Sequence, residues 1–252
     1  MKKLLFIVTA ILLLNACANS ENINQEAASA YTQAMKEAKA QGAVDISSTT
    51  AKRVHKIFNK MRPYADTENT TGQIFNWQLT VLRSSEVNAW AMPGGKMVFY
   101  TGIVDKLKLN DDEIATVMGH EMAHALKEHG KKKTNFGMAT NILAQVGHVA
   151  LSTVIGSDLS GIAVGLTKDW ALDKPYSRSA ETEADEVGLL LMAKSGYNPQ
   201  VAPGLWVKMK SVSNNKGGVL AALGSTHPSD DARQENLQRL LPEAMKVYHA
   251  RR

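Results

Sequence analysis

Residues 120–124 spell HEMAH, and this HExxH pattern constrains the fold more than any other stretch of the chain. Within a helix, His120 and His124 lie one turn apart, so both imidazoles leave the same face. That spacing lets two ring nitrogens bind one zinc ion, at roughly 2.0–2.1 Å each. Glu121 lies beside them, where its carboxylate can act as the base that takes a proton from a water molecule. The pattern therefore predicts a metal site and a hydrolytic reaction, the cleavage of a peptide bond.

The flanking residues predict that HEMAH lies in a partly buried helix. Asn110 and Glu113 have the spacing of a capping box, and acidic residues fill the predicted first turn, where they suit the helix dipole. Apolar side chains then recur with a 3.6-residue period, which places the histidines beside or within the buried stripe, and Gly130 is the predicted stop. Buried histidines need partners, and a metal ion supplies one. The alternative is a solvated helix that carries two unrelated histidines.

A second acidic segment, residues 177–185, offers the third protein ligand that a catalytic zinc site needs. Its serines can cap a helix on which Glu181 and Asp185 share one face. Glu181 would complete a His, His, Glu set for one zinc ion per chain. Asp185 would accept the free ring N–H of a ligand histidine and fix its tautomer. Glu183 and Glu186 are rival ligands, and a solvated acidic helix start is the alternative.

With these two helices, the chain resembles the HtpX and CAAX-prenyl-protease family of zinc metallopeptidases, and within it the periplasmic lipoprotein branch that includes LoiP and BepA. Four stretches carry the resemblance: HEMAH at 120–124, ETEAD at 181–185, VNAWAMPGG at 87–95, and THPS at 226–229 followed by Arg233. The resemblance implies that Glu181 is the ligand and Asp185 its outer partner. The expected fold class is α+β, a mainly helical zincin (gluzincin-like) metallopeptidase domain with a small antiparallel sheet and an active-site HExxH helix.

Residues 77–101 predict strands independently of the resemblance, because apolar and polar side chains alternate there and a Pro-Gly-Gly turn follows. The resemblance implies that residues 87–92 form an edge strand above the zinc. Substrate would lie along this edge in extended form and pair main chain to main chain, which explains broad sequence tolerance. Asn88, Ala89 and Trp90 are the predicted substrate-binding residues. An ordinary hairpin in a small sheet is compatible with this interpretation.

His227 and Arg233 are expected on a loop and at the start of the last helix. By resemblance they approach the site from the far side, where a cationic or N–H donor could stabilise the oxyanion formed during attack on the carbonyl. His227 could instead occupy the open zinc position and hold the enzyme latent, while a plain His-Pro turn is the reading from sequence alone. His129 is expected as a solvated histidine at a helix end. Residues 135–166, apolar and rich in glycine, are expected to form packed helices or a mobile lid.

Residues 1–16 are predicted to be a lipoprotein signal peptide, with a basic start and a short apolar stretch. Cleavage would leave Cys17 as the lipidated first residue, and residues 17–30, polar and small, suit a flexible tether. Residues 31–252 would then be the zinc metallopeptidase domain. Ala18 after the cysteine favours the bacterial outer membrane, with the protein lipid-anchored and facing the periplasm.

The composition is that of one globular domain, with 44% hydrophobic and 21% charged residues, and Cys17 is the only cysteine, so no internal disulfide is expected. The formal net charge of +5 is mild, and no nucleic-acid-binding signature is found. We therefore expect a zinc-dependent endopeptidase of the bacterial cell envelope that hydrolyses unfolded or misassembled envelope proteins and contacts the membrane through its lipid. The alternative is a chaperone-like assembly factor for outer-membrane proteins, in contact with the assembly machinery, with latent or minor protease activity.

Overall fold

In the computed structural model, the described residues are 19–133, 175–213, 227 and 231–251. The predicted signal peptide, Cys17 and the glycine-rich segment 135–166 lie outside them. The strands are β1 (Gln78–Leu82), β2 (Ala89–Met92) and β3 (Lys96–Tyr100). The helices are α1 (Ser20–Ala40), α2 (Thr49–Glu68), α3 (Thr101–Leu107), α4 (Asp111–Leu126), α5 (Arg178–Lys194), α6 (Ala202–Ser213) and α7 (Asp231–His249), with a short 3-10 helix at Pro199–Val201. The predicted fold class, a mainly helical α+β domain with a small sheet, is confirmed.

The three strands form one mixed sheet in the order β1-β3-β2. β2 and β3 are an antiparallel hairpin, and Gly94 and Gly95 in its turn have φ values of 75° and 79°, which side chains rarely adopt. β1, however, runs parallel to β3, so the prediction of an antiparallel sheet is wrong for this pair. The reason is topological: the chain reverses twice, before β2 and again before β3, and β3 is inserted between its two neighbours.

The first helix covers one face of the sheet. Its buried side chains recur at helical spacing, and Ile23, Ala27 and Tyr31 are among them. The hydroxyl of Tyr31 lies 2.7 Å from Thr80 Oγ1 and donates to the carbonyl of Met97 at 3.1 Å. The prediction of a flexible tether over residues 17–30 is therefore wrong from residue 20 onwards. Small alanines, which suggested a tether, instead let the helix approach the sheet closely.

The other face of the sheet packs against α4, the HEMAH helix, which is buried along most of its length. The predicted capping box is present: Glu113 N donates to Asn110 Oδ1, and Asn110 N donates to Glu113 Oε2, each at 2.9 Å. The helix ends at Leu126, four residues before the predicted stop at Gly130. Glu128 has a positive φ of 52° and turns the chain there, so residues 129–133 form a separate helical segment.

The second acidic segment forms α5, which packs across α4 and against α7. The hydroxyl of Ser177 caps it by accepting from Ala180 N at 3.2 Å, as the sequence predicts. α2 packs on the outer side of α4 and completes the main hydrophobic core. Among the described helices, none combines the length and the apolar character that crossing a membrane would require.

Candidate metal centre

The HEMAH motif presents its two histidines and its glutamate inside the protein. His120, Glu121 and His124 are each at most 3% exposed. Both imidazoles leave the same face of α4, and their Nε2 atoms lie 3.0 Å apart. The predicted geometry of the motif is therefore present in the fold.

α5 brings one carboxylate to these two rings. Glu181 Oε1 lies 3.3 Å from His124 Nε2, and Oε2 lies 3.5 Å from His120 Nε2. The other two candidate ligands do not point at these rings. Glu183 contacts His129, and Glu186 accepts from Asn236 on α7 at 3.1 Å. Packing of α5 on α4 thus selects Glu181 among the acids of the segment.

His227 joins the same cluster from a separate part of the chain. Its Nδ1 lies 3.2 Å from His120 Nε2 and 3.0 Å from Glu181 Oε1, while its Nε2 lies 3.5 Å from Glu121 Oε1. The side chain is 2% exposed. Of the two sites considered for His227, a fourth ligand position matches these contacts.

These groups fit a divalent metal ion. One ligand atom from each of His120, His124, Glu181 and His227 lies within 4.8 Å of the others. A tetrahedral zinc ion with bonds of about 2.0–2.1 Å separates its ligand atoms by roughly 3.3–3.4 Å. Five of the separations between these groups, taken with either oxygen of Glu181, range from 3.0 to 3.5 Å and lie near that value. Imidazole and carboxylate donors are also the set that zinc takes in hydrolytic sites.

Asp185 stands where the sequence predicts, one helical turn after Glu181. Its Oδ1 lies 2.9 Å from His120 Nδ1, the ring nitrogen that faces away from the cluster. Arg233 Nε and Nη2 donate to the two Asp185 oxygens at 2.7 and 2.8 Å, and Nη1 lies 2.6 Å from Glu181 Oε2. The expectation that Arg233 stabilises an oxyanion does not match this geometry, because its guanidinium faces the carboxylates that surround the ligands.

His129 was expected in solvent, and that prediction is wrong. The side chain is 3% exposed, and its Nδ1 lies 2.9 Å from His124 Nδ1. Its Nε2 lies 3.0 Å from Glu183 Oε2. A regular helix would have pointed His129 away from His124, and the turn at Glu128 brings it back. The sequence offers no direct signal for that turn.

Two aromatic side chains that the sequence analysis did not select line the cluster. Tyr176, just before α5, stacks on the His124 ring with centroids 4.0 Å apart and planes 22° apart. Trp206, on α6, meets the His120 ring edge-on at 5.2 Å, and the guanidinium of Arg233 lies 4.1 Å above its indole ring. Neither residue belongs to a spaced pattern, so only the tertiary packing reveals their positions.

The carboxylates and histidines of the cluster shift one another's pKa values strongly. Burial alone would raise the pKa of Glu181, but the charge of His227 and hydrogen bonds from the neighbouring rings hold it well below its usual range. Burial would lower the pKa of His120, yet its contacts with Asp185 and Glu181 raise it to about 9. The pKa of His124 is lowered well below its usual value by burial. The neighbouring carboxylates thus favour the protonated form of His120 when no metal ion is bound.

Glu121 lies between this cluster and the sheet. Burial raises the pKa of its carboxyl, against the lowering influence of His227, His120 and a backbone hydrogen bond from Ala91. Ala91 belongs to β2, which is an edge strand of the described sheet. The proton-accepting group of the motif thus touches the strand along which substrate is expected.

The side chains of the three predicted substrate-binding residues have different surroundings. Ala89 packs on the α4 side of the sheet. The Trp90 side chain lies on the opposite face, where it packs under α1 and donates to Tyr100 Oη at 3.3 Å. Asn88 Oδ1 is buried and has no hydrogen-bond partner among the described residues. The Trp90 side chain therefore cannot meet a substrate beside α4, because strand alternation turns it away. Tyr100 N donates to the Asn88 carbonyl within the sheet, so Ala89 is the one of the three whose main chain faces the free edge.

The known proteins that this chain resembles are metallopeptidases, in agreement with the metal site described above. The profile of Peptidase family M48 matches residues 48–241. The chain is 36% identical over 168 residues to the mitochondrial metalloendopeptidase OMA1 of Schizosaccharomyces pombe, covering 67% of this chain but 48% of that relative. It is 29% identical to the metalloprotease YcaL of Escherichia coli, covering 94% of this chain and 96% of YcaL. It is 28% identical to the metalloprotease LoiP of Escherichia coli, over 76% of this chain and 71% of LoiP. The chain thus spans about half the length of the OMA1 relative.

Proposed function

This chain belongs to peptidase family M48, and on that premise we propose that it is a zinc-dependent endopeptidase of the bacterial cell envelope that hydrolyses unfolded or misassembled envelope proteins. The observation that carries the proposal is the buried set of His120, His124 and Glu181, with Glu121 beside it. A metal site with a purely structural role needs no carboxylate base beside it. Hydrolysis requires one, to accept a proton from the attacking water.

His120, His124 and Glu181 hold the zinc ion in this proposal. When bound, zinc polarises a carbonyl group and lowers the pKa of a bound water toward about 7. Glu121 accepts the proton of the attacking water while the water oxygen bonds to the scissile carbonyl carbon. Glu121 then passes that proton to the amine nitrogen as the C–N bond breaks. Burial raises the pKa of Glu121, which makes its carboxylate a stronger base toward the attacking water.

Asp185 and Arg233 act as positioning residues. Asp185 holds the proton of His120 on Nδ1, so Nε2 is free to face the metal. Arg233 locks both Asp185 oxygens and one oxygen of Glu181, which fixes the two carboxylates relative to each other. A buried guanidinium also offsets the negative charge that two ligand-side carboxylates bring into the core.

Substrate pairs with the outer edge of β2, where Ala89 presents its main chain, because Asn88 and Trp90 direct their main-chain groups at β3. Main-chain pairing requires an extended partner, so unfolded chains fit this edge and folded proteins do not. The unpartnered Asn88 Oδ1 is an acceptor for a substrate N–H. An N-terminal lipid on Cys17 would hold the protein on the periplasmic face of the outer membrane, close to misassembled envelope proteins and to the assembly machinery.

His227 supports a second candidate function. Its Nδ1 lies among the ligand atoms, so it would fill the coordination place that a water needs. A peptidase held latent in this way could serve chiefly as a chaperone-like assembly factor for outer-membrane proteins. Movement of His227 away from the cluster would then release the hydrolytic activity.

Casein cleavage by the zinc-loaded protein distinguishes these functions. We expect Glu121→Gln to keep its zinc and its fold and to lose cleavage by at least about 100-fold, since the proton acceptor is removed. Glu186→Gln, on the far side of α5, is the matched control and should cleave like the wild type. Undiminished cleavage by Glu121→Gln would refute the peptidase mechanism. Full rescue of a deletion strain by Glu121→Gln, with normal binding of β-barrel precursors, would favour the assembly factor.

A further inference from the structure

The two ring nitrogens of His124 face different partners. Nε2 faces the metal cluster, while Nδ1 lies 2.9 Å from His129 Nδ1. His129 Nε2 in turn lies 3.0 Å from Glu183 Oε2. These three side chains form a continuous line of polar contacts from the buried cluster to the surface of α5, where the Glu183 side chain is 41% exposed.

A single arrangement of protons satisfies this whole line. A neutral histidine that binds a metal through Nε2 carries its proton on Nδ1. His124 therefore donates from Nδ1, and His129 must accept at its own Nδ1. A neutral His129 then carries its proton on Nε2, which donates to the carboxylate of Glu183. Each buried ring nitrogen has a partner in this arrangement, so no polar atom of the line is left without a hydrogen bond.

The two histidines of HEMAH thus have different kinds of partner at Nδ1. His120 Nδ1 lies 2.9 Å from Asp185, a carboxylate locked by Arg233. Among the described residues, His129 and not a carboxylate lies at Nδ1 of His124. Outer partners of this kind orient metal-binding imidazoles and strengthen them as ligands.

We propose that His129, oriented by Glu183, is the positioning residue for His124 and sets the zinc affinity of the site. The inference rests on the proposed function, since it takes His124 as a zinc ligand through Nε2. Tyr176 stacks on one face of the His124 ring and fixes its plane, but stacking leaves the choice of protonated nitrogen open. Within the described part of the chain, the hydrogen bond to His129 determines that choice.

The fold holds His129 in this position from two sides. The turn at Glu128, with its positive φ of 52°, reverses the chain after α4. Gly130 then packs against Pro93, and a Cβ added to Gly130 would lie 3.3 Å from Pro93 Cδ. The segment that carries His129 is therefore wedged between α4 and the β2–β3 turn, which prevents the imidazole from drifting away from His124.

Substitutions at both ends of the line give graded expectations. His129→Phe keeps a ring but removes the acceptor, and we expect zinc affinity to fall roughly 10- to 100-fold. His129→Gln keeps a carbonyl acceptor and an N–H donor and should recover most of that loss. Glu183→Ala should cost up to about 10-fold, because water can replace a half-exposed carboxylate. Glu186→Ala is the matched control, since its side chain is 40% exposed on the same helix and contacts α7 instead.

The experiment strips each purified full-length protein of metal and measures the zinc dissociation constant by competition with a chelator at fixed pH. The rise in melting temperature on adding zinc is recorded beside it. A role confined to packing would lower the melting temperature with and without zinc alike, whereas a positioning role lowers the zinc-dependent rise. We expect the wild type and Glu186→Ala to bind zinc most tightly, followed by Glu183→Ala, with His129→Phe the weakest. His129→Gln should bind zinc more tightly than His129→Phe.

Two outcomes would overturn the inference in different ways. If the wild type binds zinc and both His129→Phe and Glu183→Ala bind it within twofold of the wild type, the positioning role is refuted while the proposed function stands. If the wild type binds no zinc, the proposed function fails and the inference fails with it. Should His129→Phe not fold, the comparison of Glu183→Ala with Glu186→Ala decides, because both positions lie at the surface.

Discussion

Gly119 and Gly188 face each other where α4 crosses α5, and a Cβ added to Gly119 would lie 2.6 Å from the carbonyl oxygen of Gly188. The same holds in reverse, since a Cβ on Gly188 would lie 2.7 Å from His120 N. Only glycine at both positions lets the two backbones approach this closely. The contact lies one residue before His120, so it determines how near Glu181 comes to the histidines.

Gly188→Ala should therefore separate the two helices that supply the ligands. Backbone atoms cannot rotate away as a side chain can, so we expect a loss of about 3 kcal/mol in unfolding free energy, at the upper end of overpacking effects. Zinc affinity should fall with it, because Glu181 moves relative to His124. Denaturant unfolding and zinc titration measure the two effects. Gly204→Ala on α6 is the control: nothing lies within 4 Å of its added Cβ, and it should be neutral or slightly stabilising.

Glu181→Ala should abolish tight metal binding, because it removes the only carboxylate that α5 directs at both histidine Nε2 atoms. We expect metal analysis of the purified protein to give close to one zinc per wild-type chain and a small fraction of that for Glu181→Ala. Glu186→Ala, whose carboxylate faces α7, should keep the wild-type content. An unchanged one-to-one content in Glu181→Ala would mean that a different residue is the third ligand.

Arg233→Met should destabilise the metal-free protein, because it leaves Asp185 and Glu181 buried without their counter-charge. Removing one partner of a buried ion pair costs about 3–5 kcal/mol. Denaturant unfolding in the presence of a chelator measures this, and adding zinc should recover part of the loss. The control is Arg239→Met, because Arg239 is 65% exposed and its pair with Glu186 lies at the surface. Equal effects of the two substitutions would argue against the buried role of Arg233.

Ala27→Glu should disrupt the docking of α1 on the sheet. Ala27 is fully buried under that helix, and a carboxylate there would have to be desolvated, at a cost of about 3 kcal/mol or more. Ser29→Glu places the same charge on the exposed side of the helix and should change stability by less than about 0.5 kcal/mol. Limited proteolysis within residues 20–40 and denaturant unfolding would reveal the difference. A flexible tether would tolerate both substitutions equally well.

Local patterns predicted the helices of the site well. The Asn110 capping box, the i, i+4 spacing of the histidines and the serine cap of α5 depend on residues within a few positions of one another, and the structure contains all of them. The tether prediction was wrong over residues 20–30 because small alanines suit a flexible segment as well as a closely packed helix. The sheet prediction was wrong in the direction of β1, since strand alternation carries no information about which strand lies between the others.

From its residues alone, the chain determined which groups could bind a metal ion and accept a proton, because HEMAH and ETEAD encode their chemistry within single helical turns. Only the tertiary structure decided that Glu181 meets the histidines while Glu183 and Glu186 do not, and that His129 and Arg233 stand behind the ligands rather than in solvent or beside substrate. Those choices depend on the angle and depth at which helices distant in sequence pack together, and the Gly119–Gly188 contact sets both.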